Sequence, residues 1–506
     1  MKMKNKFRSF VGILCATIVL LVTSCVDGFI DKEGFSSGVK NSTLSSPDSV
    51  TLTPSADESY ITVSWPIVVG AGGYKVSLYN TTSGTSDDGT ANLFVDGDTI
   101  QRPFDAESNY MAVIKTVGNT KDNNVATNDS TVGRYGQTVY ATIPSGTDLY
   151  TYFQTNPVPK STTTILYQLV PKGQYTMSGN VSCGLTPVKF RGDATNHPTV
   201  TMTVGSTGAT TSFITDGSGL NFVRINFDCS ALKGNGLVSF NPTINSAATQ
   251  SAWGVIDNLP IAFTSCKITG LPVPLLCDGG QKYALVTFSI SDCIIAQNLT
   301  SGNLFFGTIG STVEGFIKDI MLTKSTFYNT ATATSGYLIT LTNSTYATKI
   351  TGANWTSGSI TLTNCTLWNM YSGVVGKRCM NYTGFSNLAA NVYSLQKNIF
   401  LDCDDRTSAY TISNAVNRNG TPTAKYTSNT YWITGGTAAT TTGSYPGCPL
   451  DEIYSSTYTY ADSGNPIISD PQLKSTSTGD FTLQGPTQIT YQTGDPRWWP
   501  NSTIWK

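Results

Sequence analysis

The sequence predicts an all-β chain, a parallel β-helix preceded by a small β-sandwich. Three observations predict it. A six-residue pattern recurs seven times between residues 263 and 431. The stretch before about residue 135 has a different texture, short alternating strands split by Gly, Asp and Ser turns. Charged residues make up only 12% of the chain while Gly, Ser, Thr and Asn abound, as in extracellular β proteins.

The N-terminus comes first. Lys2, Lys4, Lys6 and Arg8 precede an apolar run from Phe10 to Val22. A basic start, a short apolar core and small residues before a cut describe a signal peptide over residues 1–24, and the run is too short for a transmembrane span. Val22-Thr23-Ser24-Cys25 resembles a bacterial lipobox. The resemblance implies that Cys25 is diacylated and becomes the new N-terminus. The alternative is an ordinary signal peptide with a chance Cys. Asp27, Asp31 and Glu33 resemble the acidic tag that sends some lipoproteins to the outer cell surface. The expected location is therefore the outer membrane, lipid-anchored and facing the extracellular side. No later stretch is long and apolar enough to span a membrane.

Removing residues 1–24 removes four cations and no anions, leaving 27 Lys+Arg against 32 Asp+Glu and a net charge of −5. That gives no basic footprint for nucleic acid and no strong field for steering a polyanion.

Residues 25–46 are polar and Ser/Gly-rich, a tether. From Ser49 the segments SVTLTP, YITVSWP, GYKVSLYN and NYMAVIKTVG alternate as half-buried strands. Trp65 ends the second and Tyr110 opens the last. The pattern over residues 47–135 is similar to a fibronectin type III domain, with Trp65 in the core and Tyr110 near the corner. Such a module is expected to act as a spacer.

The repeats follow. They read FTSCKI (263–268), ISDCII (290–295), LTKSTF (322–327), LTNSTY (341–346), LTNCTL (362–367), LQKNIF (395–400) and YTSNTY (426–431). Their centres are Cys266, Cys293, Ser325, Ser344, Cys365, Asn398 and Asn429, spaced 27, 32, 19, 21, 33 and 31 residues apart. Short β-type segments at such a period signal a stacked solenoid. Side chains in a strand alternate faces, so the first apolar residue and the centre, three apart, would face opposite ways. A corner just before the centre turns both inward. It falls at Ser265, Asp292, Lys324, Asn343, Asn364, Lys397 and Ser428. Asn and Asp tolerate the left-handed conformation of such a bend, and the two lysines fit it less well. A looser copy lies around Cys229, in RINFDCSAL (224–232).

This pattern resembles the pectate-lyase-like family of right-handed parallel β-helices. DLYTYFQTN (148–156), TTILYQLVPKGQYTMSG (163–179) and VKFRGDATNHPTVTMT (188–203) look like that family's opening coil, a short helix, a strand, a Gly-x-Tyr turn and an Arg-Gly strand. The resemblance covers residues 140–445. It implies a fold, since this architecture carries lyases, hydrolases, esterases and non-catalytic binders.

Eleven cysteines in an exported chain suggest disulfides. Cys15 and Cys25 belong to the export segment, and three of the other nine share the repeat centre with Ser and Asn. That interchange argues for small inward side chains. Residues 446–506 contain Pro446, Pro449, Pro466, Pro471 and Pro486 and end in GDPRWWPNSTIWK. A solenoid needs an end cover, and Trp498 and Trp499 are expected to supply it. Stacking on a ligand is their alternative role.

The chemistry is less legible. One histidine and no Cys-x-x-Cys pair leave little for zinc, and no metal or cofactor is expected. The polygalacturonases of this fold use three aspartates, a Gly-His-Gly and an Arg-Ile-Lys. Here His197 stands alone in TNHPT and neither motif occurs. Esterases of the fold use paired aspartates and an arginine. CDDRT (403–407) offers Asp404, Asp405 and Arg406, which also read as a solvated turn. A lyase would use Lys or Arg as base, with Ca²⁺ on the uronate carboxylate. Asp402, Asp404 and Asp405 could supply oxygens, with Lys377 or Arg378 as base, though no family lyase motif surrounds them.

A binding surface has the more regular signal. The residue after each repeat's last apolar position should point outward. Three of these are Tyr328, Trp368 and Trp432, two coils apart each, hence about 10 Å at the strand spacing. Such rings would suit every second sugar of an extended glycan, and the alternative is that loops cover them. The expected function is non-catalytic polysaccharide binding in a glycan-harvesting system, with Tyr328, Trp368 and Trp432 as the site. A uronate-directed lyase is the first alternative and a structural or adhesive surface protein the second.

Overall fold

The computed structural model describes residues 38–506 other than 56–59, 83–84, 87–89, 106, 205–209, 251–253, 304–305, 308–314, 332–334, 338, 341–356, 371–379, 382–391, 404–415, 418–422, 433, 435–443, 446–447 and 450–464. Cys25 lies outside them. Two compact units result, Met1–Thr138 and Val139–Lys506.

The first unit packs two antiparallel sheets. One runs Thr51–Pro54, Tyr60–Ser64, Thr99–Pro103, and the other is centred on Gly73–Asn80 paired with Tyr110–Val117. Alternation decides the facing. Ile61 and Val63 are buried from one sheet, and Tyr110, Ala112 and Ile114 from the other. Trp65 sits in this core edge-on to Tyr74, at 5.4 Å between ring centroids. Tyr110 Oη accepts the Asp105 N–H at 2.8 Å, which fixes the turn before its strand. The expected tether needs correcting at its end. Thr43–Leu44 pairs in parallel with Val125–Ala126, Leu44 is 6% exposed, and Asp129 accepts the Ser46 N–H. An apolar residue and a satisfied backbone draw these residues into the sandwich.

The second unit is a parallel β-helix. Among the described residues its strands form eleven-, nine- and five-stranded parallel sheets. The helix Leu149–Thr155 closes its N-terminal end. Asp148 caps it, accepting the Thr151 N–H, and Leu149 and Phe153, one turn apart, enter the core. Interior positions stack coil on coil. Phe190, Phe222 and Phe263 pair in register, with stacked rings 5.7 and 5.0 Å apart. Ile290, Leu322, Leu362 and Leu395 continue that row.

The corner before each repeat centre is present in six of the repeats. Ser265, Asp292, Lys324, Asn364, Lys397 and Ser428 have φ of 52, 53, 46, 53, 55 and 50°. The two lysines adopt the left-handed bend like the others. Each corner N–H from Ser265 to Lys397 donates to a carbonyl of the next coil, for example Lys324 N to Thr363 O at 2.9 Å. This inter-coil bond is shared by all five corners, whatever their side chain.

The centres Cys266, Cys293, Ser325, Cys365, Asn398 and Asn429 are all fully buried. They do more than fill space. The backbone N–H of one centre donates to the side chain of the next, Cys293 N to Ser325 Oγ at 3.0 Å and Cys365 N to Asn398 Oδ1 at 2.9 Å. The side chain also donates to a carbonyl of the previous coil, Cys365 Sγ to Leu322 O and Asn398 Nδ2 to Leu362 O. Cys, Ser and Asn interchange because each offers a donor and an acceptor on a short stem. Among the described residues Cys183, Cys229, Cys266, Cys277, Cys293 and Cys365 are buried and form no disulfide.

Two repeat assignments are corrected. Ser344 and its copy lie outside the described residues, and the coils centred on Ser325 and Cys365 are neighbours. Phe316–Thr323 pairs directly with Ser359–Thr363, and Thr326–Asn329 with Thr366–Trp368, so one coil spans both intervals. The looser copy is centred on Ile225, not Cys229. Arg224 takes the left-handed corner at φ 59° and Asn226 pairs with Lys267. The repeat there is FVRINF, with an apolar centre that hid it.

Candidate functional site

The C-terminal segment described from residue 465 runs back along the flank of the β-helix. Ile467 adds a parallel bridge to Thr430 and so partly covers the final rung. The chain then crosses earlier coils. Gly494 N donates to Lys397 O, Asp495 N to Thr366 Oγ1, and Thr326 Oγ1 to Asp495 Oδ2. Gly494 has φ +75°, and a Cβ there would lie 2.7 Å from Ile399 and Thr366, so only glycine fits the turn. The expected end cover by Trp498 and Trp499 is thus a lateral strap, because its hydrogen bonds are with side chains and carbonyls along the flank.

Arg497 anchors the strap. Its guanidinium is wholly buried and donates from Nε to Asp495 Oδ2 and from Nη2 to Asp292 Oδ1, both at 2.7 Å. Trp505 lies over the guanidinium, 4.5 Å from ring centroid to Cζ, and its Nε1 donates to Asp292 Oδ2. The other side of the network is His197, 4.9 Å from the Trp505 ring. Burial, then the nearby Arg224 charge, hold the His197 pKa below its ordinary value. Burial pushes the Asp495 carboxyl up to about 6 against the pull of Arg497.

The strap meets the expected binding residues. Phe481 is 0% exposed, with its ring 5.0 Å from Tyr328 and 6.2 Å from Trp368. Trp498 packs on Phe481 and gives its Nε1–H to Thr326 Oγ1. Ile294, Phe481 and Trp498 form a buried cluster, and Tyr328, Trp368 and Trp505 pack around it, each partly exposed. Two features of the expected stripe are corrected. Tyr328 and Trp368 are register partners on adjacent coils, not two coils apart, and their rings are 6.4 Å apart. Trp432 is 8% exposed and belongs to the main core cluster. The outward facing of Tyr328 and Trp368 follows strand alternation, whereas their cover comes from a segment more than 100 residues away in sequence. Phe481 and Trp505 escaped sequence reading because neither stands in a repeat.

Among the described residues acid–base groups are few at this face. Asp402, one possible calcium ligand, accepts Trp368 Nε1–H at 3.1 Å and the Thr434 N–H at 2.7 Å. Lys377, Arg378, Asp404, Asp405 and Arg406 lie outside the described residues. Among the described residues no three His, Cys, Asp or Glu gather to hold a metal ion. Burial raises the thiols of Cys183 and Cys277 to about 12, too high for a thiolate nucleophile at neutral pH. Asp257 is raised to about 7 by burial, but its oxygens accept the Gly219 and Leu259 N–H groups and hold a turn.

Two family models match the chain, each described as a domain of unknown function, DUF4992 over residues 1–166 and DUF4957 over residues 173–330. No match is found among curated proteins. Among solved structures the chain is similar to a pectate lyase of Pectobacterium carotovorum, with 10% identity, covering 75% of this chain and 91% of that one, at a TM-score of 0.22. It is also similar to a pectate lyase of Erwinia chrysanthemi in complex with tetragalacturonic acid, with 9% identity over 63% and 84% of the two chains and a TM-score of 0.20. The β-helix assignment itself rests on the strand register given above.

Proposed function

We propose that this is a polysaccharide-binding β-helix that holds a glycan without cleaving it. The observation that supports the reading is the aromatic face, where Tyr328, Trp368 and Trp505 each keep part of a ring exposed around the buried pair Phe481 and Trp498. A flat ring covers the apolar C–H face of a sugar while the hydroxyls stay wet, and exposed rings clustered in this way mark binding surfaces. The carboxylates beside the face are engaged, Asp292 and Asp495 by Arg497 and Asp402 by Trp368. The proposal places the protein on the outer membrane through a lipid on Cys25, with the fibronectin-like sandwich as spacer.

Affinity electrophoresis through plant and host polysaccharides tests it, using the chain from residue 26. Trp505→Ala and Trp368→Ala should each weaken retardation about 2- to 13-fold if a sugar contact is worth what an aromatic pair is worth. The double variant should be weaker still. Unchanged retardation of the double variant on a gel that retards the parent would rule out this face. Appearance of an unsaturated uronate product absorbing in the ultraviolet would show a lyase instead. For the anchor, Cys25→Ala should abolish incorporation of labelled palmitate, and a labelled variant would refute it.

A further inference from the structure

A second site stands at the opposite end of the β-helix. A cleft of about 1160 Å³ opens between the end of the first helix with the loop that follows it and the strand corner at residues 182–186. That exceeds the usual volume of a small-ligand site, about 300–1,000 Å³, and suits several linked sugars. Phe153, Val158 and Leu185 give it apolar surface. Gln154, Thr162 and Ser182 are exposed, and their side chains make no hydrogen bond to another described residue. Among the described residues of the lining, Lys160 carries the one charge.

The walls are held in place. Thr186 Oγ1 accepts the Ser161 N–H and donates to Pro159 O, which ties the loop to the corner. On the far side, buried Asp216 accepts from Asn245 Nδ2, and Asn245 Oδ1 accepts the Ala247 N–H. Phe153 is fixed edge-on to Tyr167 at 5.0 Å. Fixed walls lower the ordering cost of binding. Unpaired amide and hydroxyl groups beside apolar surface match a polyhydroxylated ligand with C–H faces. One cation without a partner cation does not match a chain bearing a charge on every unit.

We propose that this cleft binds a largely neutral oligosaccharide, with Gln154, Thr162 and Ser182 as the hydrogen-bonding groups. Cys183 also lines it, its thiol pushed up to about 12 by burial and so protonated at neutral pH. This inference is independent of the aromatic face.

Titration calorimetry of the chain from residue 26 with cellopentaose, mannopentaose and xylopentaose tests it, with pentagalacturonate as the polyanionic comparison. At least one neutral pentasaccharide should bind, and more tightly than pentagalacturonate. Gln154→Ala with Thr162→Ala should weaken it about tenfold, the loss of two hydrogen bonds. Ala247→Trp, at an exposed position, should fill the cleft and abolish binding with an unchanged thermal midpoint. Heat with none of the neutral sugars, tighter binding of pentagalacturonate, or binding indifferent to both sets of changes would overturn the proposal. Polymer retardation that depends on Trp368 and Trp505 would persist if only the cleft assignment fails. Loss of that retardation with intact pentasaccharide binding would sink the aromatic face alone.

Discussion

Arg497→Met is expected to lose about 3–5 kcal/mol of stability near pH 7.5, because it leaves buried charge without its partner. Arg497 is 0% exposed and joins Asp495, itself 1% exposed in its side chain, to Asp292 on the β-helix flank. Removing the guanidinium strands the Asp495 carboxylate under the strap and removes the platform of Trp505. The loss should depend on pH in a known direction. The folded-state pKa of Asp495, about 6, lies above its ordinary 3.8, so its contribution is fully present below 3.8 and is lost as pH rises through 6. Without Arg497 the folded pKa rises further, and protonation relieves more of the damage. The deficit should therefore shrink between pH 7.5 and pH 4.5. Adding Asp495→Asn should recover part of it at pH 7.5. Urea unfolding at the two pH values measures this, and a variant as stable as the parent at pH 7.5 would show that the strap is not held by this network.

Asn398→Leu is expected to cost about 2–6 kcal/mol, although it swaps a polar core residue for an apolar one of similar size. Two groups lose their partner, the Cys365 N–H and the Leu362 carbonyl, at about 1–3 kcal/mol each. Asn398→Ser should cost less than about 1.5 kcal/mol, because a hydroxyl can accept from one coil and donate to a carbonyl, as Ser325 does. Thermal and urea unfolding of the pair separates a hydrogen-bonding ladder from simple packing. If the leucine variant matches the serine variant, the ladder contributes only volume.

The sequence by itself determined the coil. Six residues in the order apolar, polar, corner, small polar, any, apolar set two inward faces and one bend, and each described copy adopts them. These are local constraints, alternation along a strand and one left-handed residue, so they can be read without knowing the neighbours. The sequence was less informative where a coil's length decided the matter. The pattern at Ser344 predicts a coil between those centred on Ser325 and Cys365, yet Phe316–Thr323 pairs directly with Ser359–Thr363, and Ser344 itself lies outside the described residues. The reverse error hid the coil centred on Ile225, where the polar centre is replaced by an apolar one.

What covers a strand was decided only in three dimensions. Tyr328, Trp368 and Trp432 share one outward position, but Trp432 is 8% exposed and the other two meet Phe481 from the strap. The strap's place depends on Arg497 finding Asp292, 205 residues earlier, and on Gly494 turning against Thr366 and Ile399. Such contacts join residues that share no period, and their free energy comes from burying charge and rings together. A strand's facing is therefore written in its own residues, whereas its exposure depends on which distant segment finds a complementary surface there.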